Sequence, residues 1–229
     1  MADTAFIELL KSIEQPLFVL SPAISVDQYI PLDLSIHNPE LEQIDVSSSK
    51  ALESYIWNHI IHHHAKVAYG GYIEQRGIYN RSNNFNLGNP NEERNIHLGL
   101  DLWIEADTPI YAPLDTVVHS FANNTNYGDY GPTIILEHTV NETTFYTLYG
   151  HLSLESIAHL KIGQKFQQGE QIATLGDASV NGDYAPHLHF QIIKDLQSYK
   201  GDYPGVCRRR DLEFYKQNCP DPNILLELP

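Results

Sequence analysis

From about residue 67 onward, apolar and polar residues alternate in short runs separated by Gly, Pro, Asn and Asp. A period of two is typical of strands with one buried face, and the frequent turn residues indicate antiparallel connections. Eight strands are predicted, at residues 67–73, 97–105, 109–112, 115–121, 133–138, 143–151, 171–175 and 187–194. The pattern predicts a mainly β protein, α+β overall, built on an antiparallel β-sheet.

The chain outside these strands follows other patterns. Apolar residues at helical spacing predict helices over 5–13 and 51–65, the second with a Ser-rich N-cap, and residues 16–45 are Pro-spotted and irregular. A loop is predicted over 80–93, and the periodicity fades after residue 196. We therefore expect three parts: a helical and irregular N-terminal extension packing on the core (1–66), a central domain (67–195) and a C-terminal surface tail (196–229).

Composition and charge restrict the possible partners. The chain of 229 residues is 42% hydrophobic, as expected of a globular protein, and its formal net charge is -15. An acidic surface repels phosphate backbones and anionic lipids, so we expect neither nucleic acid nor a membrane as partner. No apolar stretch approaches the ~20 residues needed to cross a bilayer. The first residues lack a basic leader region, which favours a cytoplasmic protein; export by a missing leader or an unconventional route stays open, as does the oligomeric state.

The two cysteines leave three alternatives open. Cys207 and Cys219 lie close together near the end of the chain and are too few to crosslink the whole fold. They form one local disulfide, remain free thiols, or share a small site, and the sequence does not choose among these.

The segment around His97 carries the first candidate chemistry. Within 97–104, His97, Gly99, Asp101 and Trp103 fall on one face of a strand, opposite four aliphatic residues that mark the core side. On a flat strand His97 and Asp101 would lie about 13 Å apart, too far to hold one ion. If both bind the same group, the chain must bend or bulge at Gly99.

Two further segments bring histidines to the polar faces of strands. His187, His189 and Gln191 share one face of a strand that Pro186 introduces, and His151 follows Gly150 at the end of another. Imidazole and carboxylate are ligands that Zn²⁺ prefers, and a catalytic zinc site has three protein ligands with water in the fourth position. Each His taken alone is more often solvated or hydrogen-bonded than a metal ligand, but three His and one Asp on polar strand faces make a zinc site as plausible an interpretation as ordinary hydrogen-bonded histidines.

The remaining histidines and the basic run have simpler interpretations. Four histidines lie within a predicted helix without a carboxylate at ligand spacing and are interpreted as a polar helix face: His59, His62, His63 and His64. Three others are interpreted as solvated or hydrogen-bonded: His119, His138 and His159. The run at 208–210 is basic within an acidic chain and is interpreted as a solvated tail.

Six ordered motifs resemble one known family. The pattern His97-x-Gly99-x-Asp101 is followed by a Thr-Pro-Ile-Tyr-Ala block at 108–112, a glycine hairpin at 127–131, Tyr-Gly-His-Leu-Ser at 149–153, a Gly-Gln block from 163, and Pro-His-Leu-His-Phe at 186–190. This set resembles the M23 zinc metallopeptidases of the lysostaphin or LytM type, over about residues 94–195.

The resemblance implies a fold, a cofactor and roles for individual residues. It implies a compact antiparallel β core with a narrow groove, and a Zn²⁺ ion held by His97, Asp101 and His189. It also implies that His151 and His187 are the catalytic pair, one accepting a proton and the other holding the water or the oxyanion. Since neutral imidazole is needed, we expect activity to fall below about pH 6.

The function predicted from this resemblance is a zinc-dependent endopeptidase acting on glycyl or peptidoglycan-type peptides. Two alternatives differ in class: a zinc hydrolase of a small intracellular amide, and a non-catalytic binding or regulatory module on the same scaffold. The presence of all three ligand positions and both catalytic His positions disfavours the non-catalytic module.

Overall fold

The computed structural model describes residues 4–81 and 92–229, so most of the loop predicted over 80–93 lies outside the described residues. Its helices are α1 (Thr4–Lys11), α2 (Ser49–His62), α3 (Glu155–Ala158), α4 (Leu212–Asn218) and α5 (Asn223–Leu226). Its strands are β1 (Tyr29–Pro31), β2 (Val67–Gly70), β3 (Ile96–His97), β4 (Leu100–Trp103), β5 (Pro109–Tyr111), β6 (Thr116–Asn124), β7 (Gly131–Val140), β8 (Thr143–Gly150), β9 (Lys165–Phe166), β10 (Gln171–Thr174), β11 (His187–Ile193) and β12 (Val206–Cys207).

One large sheet organises the molecule. Eight strands lie in the order β1-β2-β4-β11-β8-β7-β6-β9, and β10-β5 and β12-β3 form two small two-stranded sheets. Pairing in the large sheet is antiparallel except between β1 and β2, which are parallel. The predicted mainly β, α+β class is confirmed. The predicted strand 97–105 is divided, because pairing stops after His97 and resumes at Leu100 in another sheet.

The two faces of the central strands have different roles. Leu100 and Leu102 of β4, with Leu188, Phe190 and Ile192 of β11, point into the main core, where α1 and α5 also contribute apolar side chains. Side chains of alternate residues point the other way, so Asp101, His187 and His189 lie on the opposite face. The alternation visible in the sequence therefore separates the core from the polar face.

The N-terminal residues are part of this architecture. Both predicted helices form, α2 with the Ser48 side chain accepting from the Ala51 amide as its N-cap. The irregular stretch between the helices buries Leu17, Val19 and Leu20 in the main core and supplies strand β1. The division of the chain at residues 66 and 195 stays a prediction.

The prediction of a C-terminal surface tail is wrong. Tyr203, Cys207, Cys219 and Leu225 are all buried, with at most 2% of their surface exposed. The segment forms β12, α4 and α5, elements of two to seven residues that are too short to produce a recognisable period. Both cysteines are free and buried thiols.

None of the helices described here reaches the length and apolar character that a bilayer crossing requires.

The N-terminal helix should contribute measurably to stability. Leu10 of α1 is completely buried in the main core, and Leu10→Ala should lower the free energy of unfolding by about 2–5 kcal/mol because it removes methyl groups and leaves a cavity. Urea unfolding followed by circular dichroism measures this loss. The control is Glu8→Ala on the exposed side of the same helix, which should change stability by no more than about 0.5 kcal/mol. Equal effects of the two substitutions would contradict the packing of α1.

Candidate functional site

The sheet brings five side chains from separate parts of the sequence to one place. In the register of β4 and β11, His187 pairs with Trp103 and His189 with Asp101, and on the other side of β11 His189 pairs with Gly150. His151 follows Gly150 directly, and His97 ends the short strand β3. All five predicted site residues, His97, Asp101, His151, His187 and His189, are therefore neighbours, and each is at most 5% exposed.

The break at Gly99 brings His97 and Asp101 together. The Nε2 atom of His97 lies 3.3 Å from Oδ1 of Asp101, far less than the separation along a flat strand. Gly99 is also required for space: a Cβ atom there would lie 2.5 Å from Cε1 of His189. The expected bend at this glycine is confirmed, and the missing side chain lets the His189 imidazole lie against the backbone.

Three possible metal-binding atoms converge in the interior. His97 Nε2 is 2.9 Å from His189 Nδ1, and Asp101 Oδ1 is 3.2 Å from the same nitrogen. A tetrahedral zinc ion with ligands at about 2.0–2.1 Å requires ligand atoms about 3.3 Å apart. The three atoms thus fit three corners of such a site, and two imidazoles with one carboxylate are a donor set that zinc accepts.

Hydrogen bonds on the far side of each imidazole fix its tautomer. The Nδ1 atom of His97 lies 2.9 Å from the Gly71 carbonyl, which only accepts, so Nδ1 carries the proton. The Nε2 atom of His189 lies 2.9 Å from Oε1 of Gln191. Because Nε2 of Gln191 donates to the Pro204 carbonyl, its Oε1 atom must face His189 and accept. In the neutral rings, His97 Nε2 and His189 Nδ1 therefore present lone pairs to each other.

Arg76 holds the carboxylate of Asp101. Its Nη1 donates to Asp101 Oδ2 at 2.5 Å, its Nε pairs with Glu74, and its guanidinium lies over the Trp103 ring at 5.5 Å. Burial alone would raise the pKa of Asp101, but His97 and Arg76 outweigh it and hold that pKa well below its usual range. Asp101 is thus ionised, with Oδ2 bound to Arg76 and Oδ1 directed at the two imidazoles.

The other two histidines form a pair with tilted rings beside the three converging atoms. The rings of His151 and His187 are 4.2 Å apart, and His187 also stacks on Trp103. Nδ1 of His151 donates to the Asn181 carbonyl at 2.8 Å and Nδ1 of His187 to the Ala185 carbonyl at 2.7 Å, so both Nε2 atoms are acceptors. Burial, the largest cause in each case, lowers both pKa values. Both rings are therefore neutral bases at neutral pH.

His151 also has a strained backbone. Its φ angle is 63°, in the left-handed region that is rare for residues other than glycine. The His151 amide donates to the Tyr130 carbonyl, and the His151 carbonyl accepts from the Gly176 amide. These two hydrogen bonds to surrounding loops maintain the conformation. Strain of this kind is found preferentially at functional sites.

A cleft of about 430 Å³ opens over these groups. Its lining includes His97, Asp101, His151, His187 and His189. Further lining residues come from the N-terminal part of the chain, such as Leu52, and from the C-terminal part, such as Tyr215. The floor of the cleft is the large sheet, while segments from both ends of the chain surround it.

Sequence reasoning missed Arg76 and the function of Gln191. Arg76 stands alone in an irregular stretch, and no local pattern connects it with Asp101. Gln191 lies on the same face of β11 as His189, so the alternation of residues along this strand could have indicated that the two side chains are neighbours. The other histidines behave as expected: His62, His63 and His64 are exposed on or just after α2, and His138 is buried and hydrogen-bonded to Thr147.

Comparison with known proteins identifies a family. Residues 95–201 match the model of Peptidase family M23, and this range includes all five site residues. The chain is 31% identical over 109 residues to an uncharacterized metalloprotease of Haemophilus influenzae, covering 45% of this chain and 21% of that protein. It is 34% identical over 112 residues to the peptidoglycan DD-endopeptidase ShyA of Vibrio cholerae, covering 47% and 23%. The resemblance to the M23 peptidases is confirmed over residues 95–201.

Two solved structures match parts of the chain with low TM-scores. A zinc-containing peptidase from Vibrio cholerae is 26% identical, with coverage of 45% of this chain and 31% of that chain and a TM-score of 0.36. The catalytic domain of lysostaphin from Staphylococcus simulans is 22% identical, with coverage of 72% and 97% and a TM-score of 0.39. The chain spans only about a fifth of the length of the curated relatives it matches.

The buried histidines predict a pH dependence of stability. Burial lowers the pKa of His97 and of His138 to about 4 each. In the unfolded chain both have a pKa near 6.5, so between about pH 6.5 and 4 the unfolded state binds more protons and stability falls as the pH falls. Each such group contributes up to about 1.4 kcal/mol per pH unit in this window.

Urea unfolding of EDTA-treated protein at a series of pH values measures this slope. His138→Gln removes one buried titrating group outside the site and should make the dependence shallower. His62→Gln, which removes an exposed imidazole, should leave it unchanged. A wild-type stability that is constant from pH 6.5 to 4.5 would contradict the prediction.

Proposed function

We propose that the M23 domain of this chain is a zinc-dependent endopeptidase in which His97, Asp101 and His189 bind the metal and His151 and His187 are the catalytic pair. One observation carries the proposal. Two imidazole nitrogens and a carboxylate oxygen lie within 3.3 Å of one another, and the hydrogen bonds on the far side of each ring assign a lone pair to both nitrogens. Such a convergence of acceptors is unfavourable unless a cation occupies it.

The surrounding residues support the metal in specific ways. Gly71 and Gln191 orient the two imidazoles by accepting their other N–H groups, and Arg76 holds Oδ2 of Asp101 so that Oδ1 faces the ion. Partners of this kind fix ligand geometry and increase metal affinity. When bound, zinc would polarise the scissile carbonyl and lower the pKa of the attacking water.

The His pair supplies proton transfer. The free Nε2 atoms of His151 and His187 are the available acceptors, and Nε2 of His187 lies 3.8 Å from Oδ1 of Asp101, next to the proposed metal position. One ring takes the proton of the water and returns it to the leaving amine, while the other holds the water or the oxyanion. Since burial lowers both pKa values, activity should persist to a lower pH than the expected limit near pH 6.

The substrate class follows from the family and the relatives. Peptide hydrolysis is the activity of M23 metallopeptidases, and a related protein of Vibrio cholerae is a peptidoglycan DD-endopeptidase. For this chain we propose a peptide or peptidoglycan-type substrate. No observation favours a small-amide hydrolase or a non-catalytic module, since the donor set and both catalytic positions are complete.

Metal binding and turnover should separate in two variants. Asp101→Ala removes one ligand and the partner of Arg76, so purified protein should contain little zinc and show no activity. His151→Ala should retain about one zinc per chain yet lose activity by at least about 100-fold, because it removes only a proton acceptor. Elemental analysis and peptide hydrolysis measure the two effects. Full zinc content in Asp101→Ala would reject the ligand assignment, and normal turnover in His151→Ala would reject the catalytic one.

A defined substrate panel tests the function itself. Zinc-loaded protein at neutral pH should cleave glycyl peptides or purified peptidoglycan, with the new amino termini detected by mass spectrometry. Small amides in the same panel should remain intact, and EDTA should abolish cleavage until zinc is restored. Failure to cut any peptide or peptidoglycan with stoichiometric zinc bound would overturn the proposal.

A further inference from the structure

One wall of the cleft comes from residues outside the M23 domain. Leu34, together with Leu52 and Ile56 of α2, lines the cleft that contains the five site residues, although the family match begins only at residue 95. We call these three residues the α2 wall. They belong to a separate apolar cluster that also contains Trp103 and Ala185. The N-terminal segment therefore forms part of the cleft that contains the five site residues.

The α2 wall lies at the His187 end of the site. Trp103 is the last residue of β4 and pairs with His187, the first residue of β11, and the α2 wall packs in the same cluster as Trp103. Further along β11, Gln191 contacts Pro204 of the C-terminal segment at the other end. His189 lies between these ends, so the α2 wall flanks one side of the proposed metal position.

A hydrogen bond fixes the start of α2 in this position. Ser49, the first residue of α2, donates to Oδ1 of Asp183 at 2.9 Å. Asp183 belongs to the loop before β11, two residues before the Ala185 carbonyl that holds His187. The start of α2 and His187 are thus hydrogen-bonded to the same loop, and this loop fixes the position of the α2 wall relative to His187.

The chemistry of the two ends differs. The α2 wall is aliphatic, and Ile78 and Trp103 continue this apolar surface within the cleft. At the other end the cleft is lined by Arg208 and Asp211, which pair with each other, and Arg208 also pairs with Glu92. The aliphatic side chains of the α2 wall offer no hydrogen-bonding group, and the nearby Arg76, which lies over Trp103, is already paired with Asp101 and Glu74. A charged side chain placed against the wall would therefore lose its hydration, whereas an apolar side chain would be stabilised by burial.

We infer that the α2 wall is a side-chain subsite that accepts an uncharged, apolar residue of the peptide on the His187 side of the scissile bond. This inference rests on the proposed peptidase function and adds a specificity determinant to it. The length of the side chain at position 52 sets the depth of the subsite. Shortening Leu52 should therefore admit larger apolar residues.

Helix α2 provides a matched control. Leu52, Ile56 and Ile60 follow one another at four-residue intervals, and all three are buried in the same cluster. Leu52 and Ile56 line the cleft, whereas Ile60 lines a separate depression on the other side of the cluster. Ile60→Ala removes a comparable amount of packing from the same helix without enlarging the proposed subsite.

The experiment compares Leu52→Ala and Ile60→Ala with the parent protein. The substrates are pentaglycine peptides in which one residue, before or after the scissile bond, is replaced by Ala, Val, Leu or Glu. In the parent protein, the peptide that contains Glu should have the lowest kcat/KM in one of the two series, either the one substituted before the scissile bond or the one substituted after it. The measured quantity is the kcat/KM of the Leu peptide divided by the kcat/KM of the Ala peptide in that series. Leu52→Ala should raise this ratio by about 10-fold or more, and Ile60→Ala should leave it within about twofold of the parent value. Leu52→Val, a smaller change, serves if Leu52→Ala does not fold.

Binding measurements separate this inference from the proposed function. Calorimetry with the same peptides on a zinc-loaded His151→Ala background gives the Leu-to-Ala ratio of Kd values without turnover, and Leu52→Ala should shift it in the same direction. If the parent binds but does not cleave these peptides, the proposed function fails while the binding ratio still decides the subsite. An unchanged ratio in Leu52→Ala, an equal shift in Ile60→Ala, or no binding of any peptide would overturn the inference.

Discussion

The candidate site depends on where the imidazole protons are held. A neutral imidazole has one N–H and one lone pair, and in His97, His151 and His187 a backbone carbonyl accepts the proton on the outer nitrogen. Gln191 performs the same function for His189. Because all four outer nitrogens are satisfied as donors, the four inner nitrogens carry the lone pairs: those of His97 and His189 lie against each other, and those of His151 and His187 are left as acceptors. This constraint produces both the position for a cation and the pair of proton acceptors beside it.

Holding these groups in the interior is costly, and the fold offsets this cost locally. An ionised Asp101 that is 1% exposed is tolerated because Arg76 pairs with one of its oxygens, and Arg76 in turn contacts Glu74 and the face of Trp103. The left-handed backbone of His151 is maintained by hydrogen bonds on both sides. The same burial that lowers the pKa values of His97, His151 and His187 makes the protein less stable in acid, so the protonation state of the site and the pH dependence of stability have one physical origin.

The M23 domain is completed by chain segments on either side of it. Strand β1 extends the sheet next to β2, α1 covers the main core, and α2 contributes a wall to the cleft. The C-terminal segment buries Cys219 against Gln191, whose amide donates to the Cys219 sulfur, and thereby supports the residue that orients His189. The residues that match the family thus supply the floor of the cleft, whereas its walls include segments that lie outside the matched range.

The sequence by itself determined the features that depend on local alternation. The period of two placed Asp101 and the two histidines of β11 on one polar face, the glycine at position 99 indicated a break, and the ordered motifs identified the family and its zinc chemistry. Arg76, the orienting contact of Gln191 and the buried C-terminal segment were decided only by the tertiary structure. Asp101 lies 25 residues from Arg76, the Pro204 carbonyl that fixes the Gln191 amide lies 13 residues beyond it, and the C-terminal elements are only a few residues long, so no periodicity encodes them. Alternation specifies which face a side chain occupies; only the packing of distant segments specifies what it meets there.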